Sequence, residues 1–203
     1  MSDYSVASHG FALLPDVLPG GQVEALIDAL GTVAGAGRRG LLRHPAVAAL
    51  AHSPALLNLL RPHLPNNPLA VRAIYFDKTP ETNWLVPWHQ DLTIAVLEKR
   101  ETPGFGPWSE KDGIPHVQPP DTLLQHMLTI RLHLDTADET NGALRVLPGT
   151  HLSGRLTAAD IQNLRLSIPE VLCAIPAGGA MLMRPLLLHA SSRSTTPTHR
   201  RIL

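Results

Sequence analysis

Two hydrophobic periods divide this chain. Before about residue 66 the apolar positions recur at helical spacing, and from Leu69 onward they alternate or run in short blocks. Residues 10–15 form a short apolar run that reads as a strand. After Pro19-Gly20-Gly21, the residues Val23, Leu26, Ile27, Leu30 and Val33 fall on one face of a helix, which Gly35-Ala36-Gly37 is expected to end. Two short helices follow, each opened by a proline in its first turn. One starts at Pro45; the other has Ser53 as N-cap before Pro54 and runs to about Leu60. Pro62 and Pro65 are expected to close this helical section.

Beyond it, residues 69–77 and 88–96 predict strands, separated by a loop carrying Pro80 and Pro87. Residues 98–120 read as a long loop rich in Pro and Gly, of the kind that forms lids and binding loops. A helical turn is expected near residues 120–125. Residues 127–135 then alternate strictly. Leu128, Ile130, Leu132 and Leu134 take one face; Thr129, Arg131, His133 and Asp135 take the other. Asn141-Gly142 is a hairpin signal, and residues 143–147 form the next strand. Thr157 with Asp160 three residues on predicts a capped helix through Asn163. Residues 171–175, 180–184 and 186–190 are strands, and 198–203 begin a last one, which a turn at 191–197 is expected to lay beside the strand before it. That makes eight strands from Leu69, with helices gathered before them. The fold class is α+β and mainly β: a double-stranded β-helix, or cupin-like jelly-roll, with an N-terminal helical buttress. One domain over residues 1–203 is expected, 1–66 as support and 67–203 as core.

Composition sharpens this picture in a few places. The chain has 203 residues and zero formal net charge, so nothing points to nucleic acid or a membrane surface as a partner. The start, Met1-Ser2-Asp3-Tyr4-Ser5, lacks the features of a signal peptide. The one cysteine, Cys173, has apolar neighbours and reads as a buried thiol in a reducing cytoplasm. A small-molecule substrate and a monomer or homodimer are the expected company.

Chemistry is carried first by His89-Gln90-Asp91. In a strand, residues i and i+2 share a face, so an imidazole and a carboxylate stand side by side. A third ligand would complete a two-histidine, one-carboxylate triad, which leaves metal positions open and belongs to non-haem Fe(II) oxygenases. Chance readily supplies a His-x-Asp in a chain with 11 histidines, and His133-Leu134-Asp135 is a second. Position separates them. His89 opens the second counted strand and His189 ends the seventh, and these two strands lie close across a jelly-roll. Asp135 sits at a strand exit, where it can satisfy backbone donors. Arg200 follows His189 by eleven residues across a turn, and its guanidinium suits a carboxylate at the barrel mouth. Arg201 takes the opposite face.

Trp88-His89-Gln90-Asp91, residues 141–151 (Asn-Gly-Ala-Leu-Arg-Val-Leu-Pro-Gly-Thr-His) and His189-Ala190-Ser191 with Arg200 resemble the phytanoyl-CoA dioxygenase family of Fe(II)/2-oxoglutarate-dependent oxygenases. The resemblance implies that His89, Asp91 and His189 bind Fe(II), and that Arg200 and Ser191 hold the distal carboxylate of 2-oxoglutarate. It also implies O2 as cosubstrate and hydroxylation of a small molecule, with 2-oxoglutarate decarboxylated to succinate and CO2. Halogenating relatives have a small residue where Asp91 stands, so a carboxylate there favours hydroxylation. His151 falls in a structural signature and is not carried over as a ligand. Family members run on for several apolar residues past the equivalent of Leu203, so the last strand is expected to be short or truncated and Arg200 loosely held.

Among the remaining residues, Arg131 reads as a surface or interstrand ion pair and Lys78 as a solvated lysine. Trp84 and Trp108 stand either as substrate wall or as packing, and Trp88 as packing. His116 and His126 read as loop or surface histidines. Two alternatives remain open: a cupin-like metalloenzyme without 2-oxoglutarate, which would use His151, and a non-catalytic jelly-roll binding protein.

Overall fold

A computed structural model describes residues 4–33, 35–64 and 66–203. Pro65 and the first three residues, on which two of the expectations fall, lie outside the described residues. Two sheets face each other. One is assembled from β1 (Phe11–Leu14), β11 (Ala180–Met183), β8 (Thr129–Leu132), β13 (Arg200–Ile202), β3 (Tyr75–Lys78) and β2 (Gly37–Arg38), in that spatial order. Its two halves meet where Leu132 and Leu203 exchange backbone hydrogen bonds of 2.8 and 3.0 Å and His133 bridges Ile202. The other sheet runs β10 (Val171–Cys173), β9 (Leu144–Val146), β12 (His189–Ser191), β4 (Val86–His89). The eight strands β3, β4 and β8 to β13 make the jelly-roll, and β1 and β2 extend its larger sheet.

Each sheet is sorted by residue parity. Between the sheets lie Phe11, Leu144, Val146, Cys173, Met181, Met183 and Leu187. The helices α1 (Gly20–Leu30), α2 (Pro45–Ala51) and α3 (Pro54–Leu60) cover the outer face of the larger sheet. There Val23, Leu26, Leu30, Val47, Leu50 and Leu56 pack on Tyr75, Leu132 and Leu134. The Ser53 hydroxyl accepts from the Leu56 N–H as an N-cap. In β8 the apolar face therefore points out to the helices. The face carrying Arg131 and His133 points into the barrel.

Several expected boundaries move. The first helix ends at Leu30, where Gly31 takes φ +61°, and Val33 packs from beyond it. Of residues 69–77 only 75–77 join a ladder, as part of β3, which runs on to Lys78. Within 98–120 the chain is not a bare loop: β6 (Trp108–Lys111) and β7 (Ile114–Val117) form a hairpin that pairs with β5 (Ile94–Ala95). Its turn is Asp112-Gly113, both at positive φ. The expected turn at residues 120–125 is α4 (Asp121–Gln125). Helix α5 (Ala158–Ser167) carries the expected Thr157–Asp160 capping box and runs beyond Asn163. Strand β13 does not lie beside β12. It pairs with β3, Arg200 opposite Lys78, and its far edge is tied to the β8 segment, so the last strand is clamped on both sides. No helix of the described residues is long and apolar enough to cross a membrane.

Asn141-Gly142 is not a hairpin turn, because β8 and β9 lie in different sheets. It folds the crossover tightly against the site. Gly142 has φ +76°, and a Cβ there would stand 2.3 Å from the Ser192 carbonyl oxygen and 3.0 Å from Lys78 Nζ. Gly142→Ala should therefore destabilise the protein by about 2 kcal/mol or more, read from the urea midpoint. An unchanged midpoint would show that this close approach is not needed.

Candidate active site

His89 and His189 lie opposite each other on β4 and β12, with ring centroids 4.2 Å apart. Each ring is oriented by the same device. His89 Nδ1–H donates to the Pro87 carbonyl at 2.9 Å, and His189 Nδ1–H donates to the Leu187 carbonyl at 2.8 Å. A carbonyl only accepts, so Nδ1 carries the proton in both rings and Nε2 is left with its lone pair free to bind a cation.

Asp91 lies just past the end of β4, so strand parity alone does not place it. Its N–H donates to the Pro185 carbonyl at 2.9 Å. Gln90 anchors the same step by donating to Gly154 and Leu186 carbonyls and accepting from Leu156 N–H. One ligand atom each from His89, Asp91 and His189 lies within 4.8 Å of the others. Burial lowers the His189 pKa to about 4 against the pull of Asp91, keeping the ring neutral. Burial works against the Asp91 carboxylate, but His189, Arg72, His89 and Arg131 outweigh it and hold its pKa below the ordinary value. Two imidazole lone pairs and an ionised carboxylate fit a divalent iron.

A second group lines the barrel beside the triad. Arg200 is 3% exposed, and its Nε and Nη1 have no hydrogen-bond partner. Lys78, opposite it on β3, is fully buried. Its Nζ donates to the Ser191 hydroxyl at 3.2 Å and the Ser192 carbonyl at 2.6 Å, and it lies 5.1 Å from the Trp84 ring centre. Ser191 in turn donates to the Gly142 carbonyl at 2.8 Å. Arg131 Nε and both ring nitrogens of His133 are also buried without partners. No carboxylate hydrogen-bonds to Arg131, Arg200 or Lys78 among the described residues. By contrast Arg201, on the outer face, makes a two-pronged pair with Asp135 at 2.7 and 2.8 Å. Burial lowers the Arg200 pKa to about 10, with Arg131 adding to the effect. It lowers the His133 pKa to about 3, again helped by Arg131 and Arg200. Arg200 thus stays charged at neutral pH while His133 is uncharged. Arg131 and Arg200 thus keep unpartnered buried nitrogens on the wall that Lys78 shares, and this is the fit expected for the distal carboxylate of a dicarboxylic cosubstrate.

Three expectations change here. Lys78 is not solvated, and Arg131, whose Nε is buried, makes no ion pair among the described residues. His116 is 1% exposed within β7. Trp108 is also in a strand, β6, with Lys99 Nζ at 5.8 Å from its ring centre. Trp88 points out of the barrel between Arg145 and Arg165, and His126 is exposed. His151 is buried against the N-terminal segment, with Nε2 3.2 Å from the Ala7 carbonyl, and takes no part in the triad.

The profile of the phytanoyl-CoA dioxygenase family matches residues 6–202, and the chain belongs to that family. It is accordingly a 2-oxoglutarate-dependent dioxygenase, with Fe(II), 2-oxoglutarate and O2 as metal and cosubstrates. Comparison with curated protein sequences gives no match. Solved structures share the fold. AviO1 from Streptomyces viridochromogenes is 19% identical with a TM-score of 0.67, over 97% of this chain and 88% of that one. The non-haem α-ketoglutarate-dependent carbocyclase SnoK from nogalamycin biosynthesis is 19% identical with a TM-score of 0.71, over 97% and 78%. EctD from S. alaskensis, solved with 2-oxoglutarate and 5-hydroxyectoine, is 18% identical with a TM-score of 0.73, over 100% and 74%.

Lys78 supplies a test of the buried charge that needs no cosubstrate. Burial, then Arg200, Arg131 and Arg193, lower its pKa from 10.5 to about 7. Between those values the folded protein binds fewer protons at this site than the unfolded chain does. Stability contributed by Lys78 therefore rises as pH increases from about 7 toward 10. Urea midpoints of wild type and Lys78→Met across that range should diverge, with wild type gaining on the variant as pH rises. Parallel profiles would contradict the buried, depressed lysine.

Proposed function

We propose that this protein hydroxylates a small molecule at a site where His89, Asp91 and His189 hold Fe(II) and Arg200 holds the distal carboxylate of 2-oxoglutarate. Lys78 shares that carboxylate. Ser191 supports the same end by fixing Lys78, whose ammonium it accepts. The observation that carries the reading is the buried, carboxylate-free basic set beside an oriented His–Asp–His triad.

The bound iron supplies O2 activation coupled to oxidative decarboxylation of 2-oxoglutarate. One C–H bond becomes C–OH, and one 2-oxoglutarate and one O2 yield succinate and CO2. The protein's part is orientation. Carbonyl-anchored imidazoles fix the direction of two ligand lone pairs, and the Gln90 and Pro185 contacts set the carboxylate against them. Apolar residues between the sheets, among them Met181, Met183 and Leu187, exclude water from the buried end. The incoming carboxylate raises the Lys78 pKa from about 7, so Lys78 becomes fully protonated as the anion arrives and the two buried charges form a pair.

Anaerobic titration with Fe(II) and 2-oxoglutarate tests this. Chelation should appear as a weak visible charge-transfer band. Arg200→Ala should raise the apparent Kd for 2-oxoglutarate at least tenfold, as expected for loss of a charge-assisted bidentate contact. His189→Ala should abolish Fe(II) binding, and His151→Ala should leave it intact. Wild-type affinity in Arg200→Ala would remove its assigned role. Iron binding that survives His189→Ala but not His151→Ala would instead establish the cupin-like arrangement.

A further inference from the structure

The proposed site gives His133 no task, yet the ladders place it among the groups that bind. Its backbone is held on both sides. The His133 N–H donates to the Gly179 carbonyl at 2.9 Å, and the His133 carbonyl accepts from the Gly178 N–H at 2.8 Å. On the other side His133 bridges Ile202, and the Leu134 N–H donates to the Arg201 carbonyl at 3.0 Å, which fixes the register toward β13. Bridged residues share a face, and so do residues two apart on a strand. Arg200, two before Ile202, is therefore the diagonal neighbour of His133 across this ladder. Such pairs stand about 7–8 Å apart at the backbone, within reach of long side chains. Lys78 faces Arg200 from β3. Arg131 precedes His133 by two on its own segment and faces Met181, which is buried between the sheets.

His133 is 3% exposed, and neither of its ring nitrogens has a hydrogen-bond partner among the described residues. Burial, with Arg131 and Arg200 nearby, keeps the ring neutral. A neutral imidazole carries one N–H donor and one lone pair. The unpartnered nitrogens of Arg131 and Arg200 can meet the lone pair, because guanidinium nitrogens donate. They cannot meet the N–H, because a guanidinium accepts nothing, and neither does the Lys78 ammonium. Ile202 and Met181 offer no polar side-chain atom. The polar groups on this wall are thus short of an acceptor at the depth where an unmet donor costs most.

We propose that His133 is a further binding residue for the cosubstrate, its imidazole donating an N–H to the distal carboxylate that Arg200 and Lys78 hold. The assignment rests on the reading of that wall as the cosubstrate site. The two oxygens of a carboxylate offer about four acceptor positions, enough for all three donors. A neutral donor adds direction to the grip without adding a further positive charge to a wall that already buries Arg131, Arg200 and Lys78. The same orphaned nitrogens make His133 a cost to the empty protein and a gain to the filled one.

His133→Leu and His133→Asn separate this role from packing. Leucine fills the space without polar atoms, and asparagine keeps an N–H donor. 2-Oxoglutarate is titrated calorimetrically into wild type, both variants and Arg200→Ala, each loaded anaerobically with Fe(II), and urea midpoints are measured without 2-oxoglutarate. His133→Leu should raise the Kd about tenfold or more and at the same time raise the urea midpoint of the cosubstrate-free protein. His133→Asn should recover most of the lost affinity. A purely structural histidine would not move affinity and stability in opposite directions, so weakened binding with a lowered midpoint in both variants overturns the assignment. Wild-type affinity in His133→Leu, beside a weakened Arg200→Ala, leaves only a buried water to meet the ring and overturns the assignment alone. Failure of wild type to bind 2-oxoglutarate overturns the cosubstrate reading, and the His133 assignment with it.

Discussion

Positive charge held inside the barrel, with no carboxylate hydrogen-bonded to it among the described residues, is the constraint on which the rest of this structure depends. Arg200, Arg131 and Lys78 converge from β13, β8 and β3 onto one interior wall, where desolvation disfavours each of them. Burying unpaired charge costs several kcal/mol per group in general. A fold retains such an arrangement when a bound anion supplies the missing partner. The nearby Arg201–Asp135 pair makes the contrast: on the outer face of the same strand, an arginine is given its own acid.

The scaffold reconciles this wall with a stable core by reversing the usual sidedness of a sheet. In β8 the leucines face outward, where α1, α2 and α3 cover them, and the basic face looks inward. The smaller sheet keeps its apolar face inward with Leu144 and Val146, and it presents His89, His189 and Ser191 among them. The proposed metal ligands therefore come from one sheet or its end and the proposed cosubstrate cations from the other. Lys78 joins the two through Ser191, and Gly142 is the close approach that allows that contact.

Much of this was legible in the sequence. The triad was found because His89 and His189 sit on strands whose order in the chain determines their place in a jelly-roll. Arg200 and Arg201 were separated by parity. What local pattern did not carry was the identity of long-range neighbours. Strand β13 was expected beside β12 but lies between β3 and β8, because pairing between strands distant in sequence leaves no periodic trace. Lys78 and Arg131 were misread for a related reason. Alternation marks two faces of a strand without saying which is inside, and the default of apolar-inside fails where helices cover the sheet. The amphipathic helix α1 held the missing signal, since its apolar stripe needed an apolar sheet face outside the barrel. The Asp112-Gly113 turn was a readable hairpin signal that Pro-rich surroundings concealed.

A crystal structure of the protein grown anaerobically with Fe(II) and 2-oxoglutarate tests the central claim most directly. The account predicts iron on His89, Asp91 and His189, and the distal carboxylate of 2-oxoglutarate against Arg200 with Lys78 turned toward it. Iron held by other residues, or 2-oxoglutarate bound with Arg200 and Lys78 untouched, would contradict it.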